Sequence, residues 1–103
     1  MTTYAPGARV TLTGKRRRPL GEGVVVSFDD DSDTQIGNVE EFLVVAITRS
    51  DDPAIPFGRI TLRRSASWLG QPGHLPSEYG WEYRAGARPI HNIRAVVSAG
   101  QGP

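Results

Sequence analysis

Lys15-Arg16-Arg17-Arg18-Pro19-Leu20-Gly21-Glu22-Gly23-Val24-Val25-Val26-Ser27-Phe28-Asp29-Asp30-Asp31-Ser32-Asp33 is the stretch on which the reading of the fold turns. Its middle, Gly23 to Phe28, places Val24, Val26 and Phe28 on one face and Val25 with Ser27 on the other, the period of two that belongs to a β-strand. Four cations stand just before this strand and four aspartates just after it. At about 3.3 Å per residue, a strand of about seven residues sets the two clusters about 20 Å apart. The chain is then bipolar with almost no net charge: 12 Lys+Arg against 11 Asp+Glu, formally +1.

Working outward, further short β-like runs are cut by Gly and Pro. Arg9 to Thr13 alternates, with Val10 and Leu12 on one face. Phe42 to Ile47 is continuously apolar and β-branched, which predicts a central strand buried on both faces. Its rival is a helix capped by Asn38 with Glu41 three residues later. Arg59 to Arg63 alternates, with Ile60 and Leu62 inward. Tyr79, Trp81 and Tyr83 form an aromatic row on the next strand, and Ile90 to Val97 reads as the last one. The pattern predicts an all-β protein, a small barrel of five to six mostly antiparallel strands. Two connections stand out: Ser50 to Phe57, with Pro53 and Pro56, and the longer Ser65 to Ser77, of the length that often carries function. One domain is expected over 1–97, with 98–103 as a flexible tail.

The N-terminal third supports a more specific expectation. Gly7-Ala8-Arg9-Val10-Thr11-Leu12-Thr13-Gly14, a turn, and Gly21-Glu22-Gly23-Val24-Val25-Val26 together resemble the opening hairpin of small SH3-like barrels of the KOW and Tudor kind. In this reading the glycines supply positive φ at the bends while Val10, Leu12, Val24 and Val26 face one core. The resemblance implies an SH3-like barrel serving as a nucleic-acid or protein-binding module.

Composition excludes several classes. Without cysteine there are no disulfides and no thiolate metal sites. No apolar run approaches the roughly 18 to 20 residues of a membrane span, and Met1-Thr2-Thr3-Tyr4 does not open a signal peptide, so the expected location is cytoplasmic or particle-associated, away from membranes. A chain of this size builds one modest core and no deep cleft, so no small-molecule substrate is expected.

The chemistry-bearing residues point to binding. Lys15, Arg16, Arg17 and Arg18 repel one another on a loop and are relieved beside a polyanion, of which nucleic acid is the commonest. Arg63, with Arg64 or Arg9, would widen that surface. The acidic residues Asp29, Asp30, Asp31 and Asp33 suit a protein partner or a second copy of the chain, with Phe57, Trp68 and Leu69 as apolar anchors. Asp29, Asp31, Asp33 and Glu40 also fall at positions 1, 3, 5 and 12 of a calcium-loop frame. However, Thr34 occupies the position that needs Gly and no entering helix precedes it, so an exposed acidic hairpin loop is expected and no metal.

Catalytic patterns are absent. His74 and His91 lack a cysteine, a nucleophile turn or a metal-ligand spacing to join them, and Thr13-Gly14-Lys15 lacks the rest of a phosphate loop. The expected function is a non-enzymatic interaction module without a cofactor, contacting nucleic acid through the basic loop. The alternative is a structural subunit of an oligomeric assembly, such as a phage or viral particle, built by head-to-tail contacts of basic and acidic loops.

Overall fold

Alternation of buried and outward residues builds six strands: β1 (Arg9–Thr13), β2 (Pro19–Asp33), β3 (Asn38–Ser50), β4 (Gly58–Ser67), β5 (Trp81–Ala85) and β6 (Arg88–Val97). The computed structural model describes residues 4–33, 38–67, 78–85 and 88–98. Each strand pairs antiparallel with the next, and β6 pairs antiparallel with β1, so the sheet closes into a six-stranded barrel. Closure pairs every strand with two neighbours over at least part of its length, which limits the open edges that expose N–H and C=O groups in flat sheets. No helix among the described residues is long and apolar enough to cross a membrane.

The inward positions fill one core. Val10 and Leu12 from β1, Leu43, Val45 and Ile47 from β3, Ile60 and Leu62 from β4, Trp81 from β5, and Ile93 with Ala95 from β6 are all buried. Each large apolar side chain withdrawn from water contributes about 1.5–3 kcal/mol, so this shared interior is what holds six short strands together. The alternation of Arg59 to Arg63 holds as expected. The continuous run Phe42 to Ile47 differs from expectation: it is a strand, but Phe42, Val44 and Ala46 are only half-buried on the barrel's outer wall.

The phase of β2 is also corrected. Val25 faces the core, and Val24 and Val26 do not. The register explains the difference, because Val25 pairs with Val45 and Ser27 with Val44, leaving Val26 as the extra residue of a β-bulge. A bulge shifts the alternation by one, which brings Phe28 back against the core although its odd-numbered neighbour Val25 also points there. Before the bulge the inward position at 23 is glycine, and space allows nothing else. A Cβ there would lie 2.4 Å from Val45 Cγ1 and 2.6 Å from the Ala46 carbonyl oxygen.

An aromatic group closes the interior at one end. Tyr4 and Trp81 meet edge to face with centroids 5.7 Å apart, and Phe28 meets Trp81 at 6.1 Å. The Trp81 Nε1–H donates to the Tyr4 hydroxyl at 3.2 Å, which in turn donates to the Ala95 carbonyl at 2.7 Å. Arg64 shares the inward parity of Ile60 and Leu62, and its guanidinium lies 4.1 Å from the Trp81 ring centroid while pairing with Glu41 at 2.7 Å. With 9% of its side chain exposed, Arg64 is a lid over the indole and reaches the surface only at a cavity it shares with Arg63 and Arg84.

The acidic run is corrected as well. Asp29 to Asp33 do not form a loop after the strand. They are the last residues of β2, paired with β3 as Asp29↔Phe42, Asp30↔Glu41, Asp31↔Glu40 and Asp33↔Asn38. Positions 34–37 of the calcium frame lie outside the described residues. Trp68, Leu69 and His74 lie outside the described residues, as do Thr34 and the tail from residue 99. The expected loop from Ser65 begins later, because β4 runs on to Ser67.

Candidate functional site

The basic run forms the connection between β1 and β2. Lys15–Arg17 is a single 3₁₀ turn, closed by the Arg18 N–H donating to the Lys15 carbonyl at 3.0 Å. Its two central residues, Arg16 and Arg17, have φ of +56° and +61°, so the turn is left-handed, the backbone of a type I′ β-turn. Glycine was expected to supply this conformation, yet Gly14 just before the turn has φ −104°. A non-glycine residue in the left-handed region costs about 1–2 kcal/mol, and here two consecutive arginines bear that cost. Such strain persists where the surrounding hydrogen bonds impose it, as the Gly14 N–H to Arg18 carbonyl bond of 2.8 Å does here.

The four cations are not equivalent. Arg18 pairs with Asp52 at 3.1 Å, and His91 Nε2 lies 3.5 Å from the same carboxylate oxygen. Asp52 is buried and accepts from the Ala54 N–H at 2.8 Å. That backbone hydrogen bond, helped by His91 and Arg18, holds its carboxyl below the usual 3.8 although burial opposes it. Arg18 is thereby a latch between the turn and the 51–57 connection. Lys15, Arg16 and Arg17 are exposed, and none of them pairs with a carboxylate among the described residues.

Beside these three cations lies a groove of about 380 Å³ on the outer wall, lined by Asn92, Arg94, Tyr79 and Gly80 and by the turn. Tyr79 is 41% exposed, unlike its alternate neighbour Trp81, which is fully buried. Arg94 covers Tyr79 with its guanidinium carbon 4.9 Å from the ring centroid, and Glu78 holds Arg94 through Nε at 3.0 Å and Nη2 at 2.6 Å. The ring is thus fixed from one side by a guanidinium that is itself fixed. A larger cavity of about 420 Å³ lies near Arg9, Glu22, Gly23 and Thr48, but Arg9 is its single cation and no aromatic lines it.

Arg63 is not at the turn. It pairs with Glu40 and stands in a cross-strand row, Arg63↔Glu82↔Asn92, two inter-strand spacings or about 10 Å from the groove. A further cavity of about 230 Å³, with Arg63, Arg64, Glu82 and Arg84 on its wall, adjoins the groove at Gly80. Phe57 is 70% exposed at the end of the 51–57 connection, whose shape is set by the single Ser50 hydroxyl proton, shared between the Ile55 carbonyl at 2.6 Å and the Asp52 carbonyl at 2.9 Å. Sequence reasoning missed Asn92 and Arg94. Outward polar residues on a terminal strand carry no pattern of their own, and only the closure of β6 onto β1 brings them to the turn. It also treated Tyr79, Trp81 and Tyr83 as one row, where Tyr79 precedes the strand and turns outward.

Comparison with protein-family models, curated proteins and solved structures gave no match.

Proposed function

We propose that the chain is a non-enzymatic β-barrel interaction module that contacts nucleic acid through the Lys15–Arg17 turn. The observation that carries this reading is the left-handed turn itself. Two arginines occupy positions where Asn or Gly would be less strained, and with Lys15 they leave three exposed cations side by side. Phosphates spaced along a backbone relieve that repulsion, and binding of this kind releases counterions. The test is nucleic-acid binding measured against salt with wild type and an Arg16→Ala/Arg17→Ala variant. Affinity should fall steeply with added salt, and the variant should bind more weakly with a shallower salt slope. No binding at low salt would remove the proposal.

A second reading, a structural subunit of an oligomeric assembly, draws on the opposite end of β2. Asp30 stands opposite Glu41 and Asp31 opposite Glu40, so an acidic ladder terminates the same strand that begins beside the basic turn. Such polarity suits a head-to-tail contact between copies. Sedimentation that stays monomeric at high concentration would count against this reading.

A further inference from the structure

We infer that the ligand of the groove is single-stranded nucleic acid, with its backbone on Lys15, Arg16 and Arg17 and a base stacked on Tyr79. The inference rests on the proposed contact of the turn with nucleic acid and specifies which form of it is held. In a duplex the faces of the bases are covered by their neighbours, so an aromatic ring offers a duplex nothing, whereas a single strand presents a π-face to it. Tyr79 is built for that task. Arg94 lies over the ring and Glu78 anchors Arg94, so the exposed surface of Tyr79 is held in place before any ligand arrives. Ordering the platform in advance lowers the entropic cost of binding.

The groove is of a size for one nucleotide unit, since about 380 Å³ lies at the lower end of small-ligand pockets. Asn92, exposed in the groove, supplies both an amide donor and an acceptor for a base edge. The strand need not stop there. At Gly80 the groove meets the cavity bordered by Arg63 and Arg84, so the surface continues from the turn across the outer wall of β6, β5 and β4. Beyond Gly80 the arginines are ion-paired, Arg63 with Glu40 and Arg84 with Glu82, so among the described residues of this surface the unpaired cations that face a backbone are those of the turn. Cations beside one aromatic platform hold single strands with little sequence preference.

The experiment is fluorescence anisotropy at low salt with labelled oligonucleotides of about ten nucleotides, a length that spans a small-domain binding site. Single-stranded DNA, single-stranded RNA and the matching duplex are compared on wild type, Tyr79→Ala, Tyr79→Leu, Tyr79→Phe and Arg16→Ala/Arg17→Ala. Tighter binding of single strands than of duplex, in one sugar or both, is expected. Tyr79→Ala and Tyr79→Leu should weaken that binding about tenfold, as loss of a stacked base does, and Tyr79→Phe should restore it. Leucine keeps the apolar cover for Arg94 without a π-face, so a folding defect in the alanine variant does not decide the outcome. Duplex bound as tightly as single strand, or Tyr79→Leu without effect while the arginine pair is required, overturns the single-strand inference and leaves the basic-turn reading standing. Failure of every nucleic acid to bind overturns both.

Discussion

The Trp81 indole N–H donates to the Tyr4 hydroxyl at 3.2 Å, joining the segment before β1 to the start of β5 across 77 positions of sequence. The hydroxyl passes the interaction on to the Ala95 carbonyl, so one phenol satisfies a buried donor and a buried acceptor from two different strands. Tyr4→Phe keeps the ring contacts and removes only this relay. Stability should fall by about 1–3 kcal/mol, because the indole N–H loses its bond to the hydroxyl and the Ala95 carbonyl loses the hydroxyl's donation. Denaturant titration of the two proteins measures the difference.

The same phenol sets an alkaline limit. Burial, only partly offset by the Trp81 hydrogen bond, pushes the Tyr4 pKa above 10.0. The unfolded chain ionises at its ordinary value while the folded chain still holds the proton, so stability is full below pH 10 and declines as the pH rises past it. Tyr4→Phe should flatten that decline in urea midpoints followed from pH 8 to 11.

Asp52 behaves in the opposite sense. Its carboxyl is held below 3.8 by the Ala54 N–H, with His91 and Arg18 adding to the effect, so its contribution is present above that value and is lost as the pH falls through the lower folded value. Asp52→Asn should remove this part of the acid dependence and free Arg18. Thermal unfolding between pH 2 and 6 with both proteins shows whether it does.

Replacing Arg16 with Asn and Arg17 with Gly supplies the residues that a type I′ turn favours. Relief of the left-handed strain should stabilise the barrel by about 1–2 kcal/mol. At about 4–8 °C per kcal/mol for a domain of this size, calorimetry resolves the change readily. Nucleic-acid affinity should fall in the same variant, so stability and binding would move in opposite directions.

Gly23→Ala tests the close approach of β2 to β3. A Cβ at 2.4 Å from Val45 Cγ1 displaces a core side chain, and the Ala46 carbonyl at 2.6 Å belongs to backbone that resists moving. Destabilisation of about 1–3 kcal/mol is expected from overpacking. Pairing with Val45→Ala should recover only the side-chain share of that loss.

Which parts of this molecule could be read in advance follows from how far the deciding contacts reach. Arg9 to Thr13 and Arg59 to Arg63 alternate without interruption, so their buried faces were evident from local pattern alone. The bulge at Val26 has no local marker, because three consecutive valines satisfy either phase, and only the pairing with Val44 and Val45 chooses between them. The aspartates from 29 to 33 have low strand propensity, yet β3 recruits them into the ladder, an instance of tertiary pairing overriding local preference. At the candidate site the cations were visible as a run in the sequence. Their aromatic and amide companions come from residues more than 60 positions away, and Arg18 was counted with the exposed cations because its buried partner Asp52 looked like any loop aspartate.

Closure of the barrel through β1 and β6 also governs how the protein is made. During synthesis β1 waits for β6 to gain its second neighbour, so β1 keeps one unpaired edge until the segment through Val97 has emerged. Contacts of such long sequence separation slow folding, and unpaired edges in the nascent chain invite association with other chains. Fragments that end before Ile93 should therefore collect as aggregates, and chains that include β6 through Val97 should fold.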